Sequence, residues 1–115
     1  MDIQIQQLFG IWRNINGEII TDFNIHQFDN NHNLARAMFT IYNPEKDNKI
    51  IFEWHGKFGI INYQNELSKI EFNEIFKSED LPQYENIRIW ALDNTQLVIE
   101  LGNGERITFN ILGKA

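Results

Sequence analysis

Gly10-Ile11-Trp12-Arg13-Asn14-Ile15-Asn16-Gly17-Glu18-Ile19-Ile20-Thr21-Asp22-Phe23-Asn24-Ile25-His26-Gln27-Phe28 is the stretch that decides the fold. Two runs with strand character, Gly10 to Ile15 and Ile19 to Phe28, flank Asn16-Gly17, a pair in which both residues tolerate the positive φ of a tight hairpin. In the second run Phe23 and Ile25 alternate with Asp22, Asn24 and His26, the period of 2 expected of a strand with one dry and one wet face. A hairpin of this kind cannot bury its apolar face alone, so the rest of the chain must supply the remainder of a sheet.

Outward from this hairpin the same rhythm repeats. Strands are expected over Leu34 to Tyr42, Lys49 to His55, Phe58 to Tyr63, Glu66 to Phe76, Asn86 to Leu92, Gln96 to Leu101 and Arg106 to Leu112. The breaks fall at Asp29-Asn30-Asn31-His32-Asn33, Pro44 to Asn48, Gly56, Lys77 to Pro82, Asp93-Asn94 and Gly102-Asn103-Gly104, all rich in residues that favour turns. Ahead of the first strand, Ile5, Leu8 and Phe9 fall on one side of a helical turn within Ile3 to Phe9. Inward stripes are read as Phe23 and Ile25, Phe39 and Ile41, Phe52 and Trp54, Ile70 and Phe72, Ile87 and Ile89, Leu97 with Ile99 and Leu101, and Ile107 with Phe109 and Ile111. One dry face on each of eight or nine consecutive strands predicts an all-β fold, an antiparallel up-and-down β-barrel with a short N-terminal helical turn, because closure removes the exposed edges of an open sheet. A flattened sandwich is the alternative.

Composition narrows the function classes. With 115 residues the chain has the size of a single domain, expected over 1–115. A formal charge of −6 argues against nucleic acid and against anionic membranes, both of which are bound through clustered Lys and Arg. The absence of Cys removes disulfides, thiolate metal sites and thiol nucleophiles. No segment has the apolar length of a membrane-spanning helix, so no membrane insertion is expected. The first residues carry no basic region and no apolar run of a secretory leader, which points to the cytoplasm, with a trimmed secreted or lipoprotein form as the alternative.

Leu8-Phe9-Gly10-Ile11-Trp12 resembles the Gly-x-Trp opening of lipocalins and of small bacterial lipocalin-like, calycin-type domains, where a short helical turn leads into the first strand. Gly56-Lys57-Phe58-Gly59-Ile60-Ile61, the run from Leu92 to Leu101, and Gly104 with Ile107-Thr108-Phe109 are similar to the middle and closing hairpins of such domains. The resemblance implies a barrel whose Trp12 plugs one end beneath an arginine from the last strand. Gly10, Trp12 and Arg106 are then the structural signature, with Arg88 as the other candidate for the covering guanidinium.

Three functional readings follow. In the first, the chain is a non-enzymatic carrier, and Phe23, Phe39, Phe52, Trp54, Ile89, Ile99 and Phe109 line an apolar cavity for a small hydrophobic molecule, unless they fill the interior themselves. In the second it is an acidic interaction protein or immunity-type inhibitor with a packed barrel, steered to a basic protein partner by Asp29, Glu45, Asp47, Glu79, Asp80 and Glu85. In the third, His26 or His55 holds a haem or a metal ion. No cofactor is otherwise implied, and no enzyme is expected. Glu71 and Glu74 straddle the faces of one strand, Glu79 and Asp80 share a polar loop, and Ser68 lacks the surroundings of a nucleophile elbow.

Overall fold

The computed structural model describes residues 2–114, so the two end residues of the expected 1–115 domain lie outside the described range. The order is a 3-10 turn over Ile5–Leu8, then β1 Gly10–Asn16, β2 Ile19–Phe28, β3 Asn31–Asn43, β4 Lys49–Ile61, β5 Lys69–Lys77, β6 Arg88–Leu92, β7 Gln96–Glu100 and β8 Arg106–Gly113. Each strand pairs antiparallel with the next, and β8 returns to β1 through Trp12↔Ile111 and Arg13↔Asn110, closing an eight-stranded barrel. The all-β, up-and-down architecture is therefore the one its alternating stripes demand.

Local differences from the expected boundaries have physical causes. The first hairpin turns at Gly17-Glu18 rather than Asn16-Gly17, because Asn16 stays in the ladder opposite Ile19. Only Gly17 has positive φ, at +63°, the arrangement of a turn that takes glycine at its first central position. The expected loop from Asp29 to Asn33 shrinks to Asp29-Asn30, and Asn31-His32-Asn33 extend β3 as exposed strand. The interruption expected at Gly56 does not occur: β4 is one strand of 13 residues, which makes the count eight rather than nine. Glycine is needed there for another reason. A Cβ on Gly56 would lie 2.1 Å from the Glu74 carbonyl oxygen, because β5 carries an extra residue where Lys57 pairs with Glu74 and Phe58 with Phe72.

The seam between β5 and β6 is the weakest in the wall. Their register is confined to Lys69↔Arg88, with Ile70 N donating to Ile87 O and Ile89 N to Ser68 O. Beside the rest of β5, residues 78–87 take the place of strand, built around a 3-10 turn at Pro82–Glu85. Tyr84 from this turn drops its ring onto Phe52, with centroids 4.6 Å apart.

An up-and-down barrel sorts its connections by parity. The β1–β2, β3–β4, β5–β6 and β7–β8 connections share one end, here called the hairpin end, and the chain termini with the other three connections share the opposite end. The terminal end is plugged by Ile3, Ile5, Leu8 and Trp12, all buried. Trp12 Nε1 donates to Leu8 O at 2.8 Å. The Asn62 amide accepts from Ile3 N and donates to Ile3 O, imitating a strand neighbour for the N-terminal segment.

Candidate functional site

The seven side chains expected to line a cavity meet in the barrel interior, and there they touch one another. Phe23 lies 5.4 Å from Phe39, 5.6 Å from Trp54 and 5.9 Å from Phe109, centroid to centroid, in edge-to-face contacts. Phe39 stacks on Trp54 at 5.8 Å. Phe52 is covered by Tyr84, and Ile89 and Ile99 are buried in the same cluster. All seven are at most 2% exposed. Phe58 and Tyr84, which were not singled out from the sequence, complete the filling. The concavities described below lie at the hairpin end and on the outer face, and none of the seven lines them. The Trp54 indole N–H has no hydrogen-bond partner among the described residues, so ring packing alone holds it.

The signature residues divide. Gly10 and Trp12 stand together at the start of β1, and a Cβ on Gly10 would press to 2.8 Å from Ile111 Cδ1 and 3.0 Å from Gly113 O. Arg106 is elsewhere, which corrects the arrangement implied by the resemblance. It opens β8 five residues before Ile111, the partner of Trp12, about 17 Å away at the usual strand rise. Its guanidinium lies on the outer face, 3.4 Å above the Trp90 ring, with Nε 3.2 Å from Glu100 Oε2. Arg88 faces outward beside the same carboxylate at 3.8 Å. The cation over Trp12 is instead Lys114, with Nζ 5.8 Å from the ring centroid.

Of the three histidines, His26 and His55 fall together on the outer face of β2 to β5, where they line one groove. No group of three or more His, Cys, Asp or Glu that could hold a metal ion exists among the described residues. Two of the four carboxylates considered for catalysis are engaged with lysines: Glu74 lies 3.3 Å from Lys57 Nζ and Asp80 2.9 Å from Lys77 Nζ.

The hairpin end gathers most of the loop acids. Glu18 comes from the β1–β2 connection, Glu45 and Asp47 from β3–β4, Glu79, Asp80 and Glu85 from β5–β6, and Glu105 from β7–β8. Asp29 belongs to the β2–β3 connection and so sits at the other end, 3.9 Å from Arg36. At this end is a mouth of about 400 Å³ in which Ile15, Ile19, Ile41, Tyr84 and Ile107 share the lining with Asn14, Asn16, Thr21, Glu105 and Arg106, so it is mixed and more polar than apolar, and Glu105 is the loop acid that lines it. Ile15 is 66% exposed, and Ile50 and Ile51 are exposed at the start of β4. The cations at this end are Lys46, Lys49, Lys77, Arg88 and Arg106. Of these, Lys77 is held by Glu85 and Asp80, whose hydrogen bonds push its pKa up, and Arg106 is spent on Glu100 and Trp90. Burial, then the charge of Glu105, raises the Tyr84 phenol, so the mouth keeps a neutral hydroxyl under a negative field.

Fold and geometry together define an eight-stranded antiparallel barrel with an aromatic interior and an acid-bearing hairpin end. No protein-family model, curated protein or solved structure matches the chain significantly. Among the described residues, no helix is long and apolar enough to cross a membrane.

Proposed function

We propose that the chain is a non-enzymatic, calycin-type interaction domain that captures a basic protein partner at its hairpin end. One observation carries the reading: all four hairpin-end connections bring acids to the end that holds a mouth of mixed apolar and polar lining, while the aromatic side chains inside the barrel pack on one another. Such a rim raises the local concentration of a cationic partner and speeds its encounter. The apolar residues of the mouth then supply the short-range contact, with Ile15 and Tyr84 in its lining to meet the aliphatic stem of an arriving Lys or Arg. The calycin-type assignment is supported by Gly10-Ile11-Trp12 opening β1 after a 3-10 turn, and by the eight-strand up-and-down order.

The test is an amide-shift titration of the labelled protein with a Lys- and Arg-rich peptide. Shifts should map to Ile15, Glu18, Asp47, Glu79, Asp80 and Glu105, weaken steeply as salt rises, and disappear in a Glu79→Lys, Asp80→Lys variant. A peptide that binds elsewhere, or with no salt dependence, would refute the reading. A fatty-acid probe that instead binds saturably and perturbs Phe52 and Phe109 would establish the carrier function, with the aromatic cluster opening to admit it.

A further inference from the structure

The outer face of β2 to β5 carries a second concavity, of about 500 Å³, whose lining includes the two cations Arg36 and Lys57. Its construction starts at the end of β2. Phe28 belongs by alternation with Asn24 and His26 to the outward series, opposite in parity to the inward Phe23 and Ile25, and it pairs with Asn31 after a register shift between Gln27 and Phe28. The Arg36 guanidinium lies 5.0 Å from the Phe28 ring centroid and the Lys57 ammonium 4.7 Å. Phe28 therefore gathers two cations at one side of the groove. Their carboxylate partners, Asp29 at 3.9 Å and Glu74 at 3.3 Å, form pairs at the solvent boundary, which exchange for another anion at little cost. Of these two acids, Glu74 alone lines the groove. Within the lining Arg36 and Lys57 face one carboxylate, while Asp29 beside it pairs with Arg36, so the groove offers two exchangeable cations on a chain of formal charge −6.

The rest of the groove is apolar and aromatic. The pairings Met38↔His55 and His55↔Phe76 set three side chains in a row across β3, β4 and β5. The His55 imidazole stacks on the Phe76 ring with centroids 5.2 Å apart and planes 21° from parallel. Met38 is 48% and Phe76 53% exposed, so this row presents adaptable thioether and ring surface to solvent. His26, opposite Arg36, brings a second imidazole to the cationic side. The volume falls in the range of small-molecule sites, as does the lining of apolar groups with a few convergent donors.

We propose that this groove binds a small aromatic carboxylate. The aromatic body lies against Met38 and extends the His55–Phe76 stack, and the carboxylate meets Arg36 and Lys57, with His26 as a further donor. The guanidinium supplies paired N–H groups suited to a carboxylate. This site is independent of the hairpin-end reading, since it lies on the barrel wall and selects the opposite charge.

The experiment uses 2-naphthoate as the probe and neutral 2-naphthamide as its comparator, each followed by amide shifts of the full chain. Saturable naphthoate binding with shifts confined to His26, Met38, His55, Lys57 and Phe76 is expected, with naphthamide weaker by roughly ten- to a hundredfold, the equivalent of losing charge-assisted hydrogen bonds. In an Arg36→Gln, Lys57→Gln variant naphthoate should fall to the naphthamide level while naphthamide itself is unchanged, which also shows that the variant is folded. Met38→Ala should weaken both ligands. Equal affinity for acid and amide, shifts elsewhere, or no saturable binding would each overturn the proposal. The Glu79→Lys, Asp80→Lys variant should bind naphthoate as the unaltered chain does, so the fates of the two sites separate on the same samples.

Discussion

Replacing Trp12 by alanine tests what holds the terminal end of the barrel. The side chain is fully buried, its Nε1–H donates to Leu8 O at 2.8 Å, and it closes the end on which Ile3, Ile5 and Leu8 rest. Truncating a buried aromatic of this size costs about 3–5 kcal/mol through lost transfer energy and the cavity left behind. A chain of this length has a total stability of about 6–17 kcal/mol, so Trp12→Ala should remain folded at room temperature. Its melting temperature should fall by roughly 12–20 °C. Trp12→Phe separates the two contributions, since it keeps most of the apolar area and leaves the Leu8 carbonyl without its donor, a loss of about 1–3 kcal/mol. Urea unfolding followed by circular dichroism is the appropriate assay, because the denaturant slope then reports whether both variants expose the same surface. A midpoint unchanged in Trp12→Ala would refute the plug. A Trp12→Phe variant as damaged as Trp12→Ala would show that the hydrogen bond, rather than burial, secures this end.

Gly56→Ala should destabilise by about 1–3 kcal/mol despite adding a single methyl, because that methyl meets backbone of β5 and cannot be relieved by a side-chain rotation; chemical denaturation measures it. Asp22→Asn removes the carboxylate that accepts from Arg13 Nε, Arg13 Nη2 and Tyr42 OH, and should lower stability by about 1–3 kcal/mol, with Asp22→Ala at least as damaging. Tyr42 and Tyr84 both have raised pKa values, with burial as the first cause, so the folded chain retains protons that the unfolded chain releases. Their contribution is whole below about pH 10 and lost as pH rises beyond it, and Tyr84→Phe should flatten the alkaline fall in unfolding free energy. Asp93 has a lowered pKa because Thr95 N and Gln96 N donate to it. The β6–β7 turn should therefore loosen as pH drops below the ordinary carboxylate range, an acid sensitivity that Asp93→Ala should remove in hydrogen exchange at this turn.

The acid-bearing loops were legible in the sequence, but their gathering at one end was not. The first, third, fifth and seventh connections share an end, which brings Glu45, Asp47, Glu79, Asp80 and Glu85 together and sends Asp29 away only because β4 runs unbroken through Gly56; a strand break there makes the loop of Glu79 and Asp80 the sixth connection and assigns it to the opposite end. What the sequence missed at this site was Tyr84. Its only local signal is Pro82 two residues earlier, and nothing nearby says that a 3-10 turn will stand where strand pairing is expected. Glu105 was overlooked because a single acid beside Gly104 reads as an ordinary hairpin residue.

Strand existence, the dry face of each strand and antiparallel closure were determined by the sequence itself, because side chains in a strand alternate strictly and each apolar stripe must be buried whatever its neighbours are. The tertiary structure alone decided everything that depends on the offset of one strand against the next. Arg106 reads as a cover for Trp12 when the last strand is taken as a unit, but the stagger of β8 on β1 places it near the hairpin end and its parity turns it to Trp90. Gly56 reads as an interruption, and only the extra residue in β5 makes it a point of close approach. His26 and His55 are 29 positions apart in the chain, yet the pairings of β2 with β3 and of β3 with β4 bring them to one groove. Whether the interior aromatics line a space or fill it was likewise beyond the alternating pattern: period identifies which rings point inward, whereas barrel radius and strand tilt set how far apart they stand.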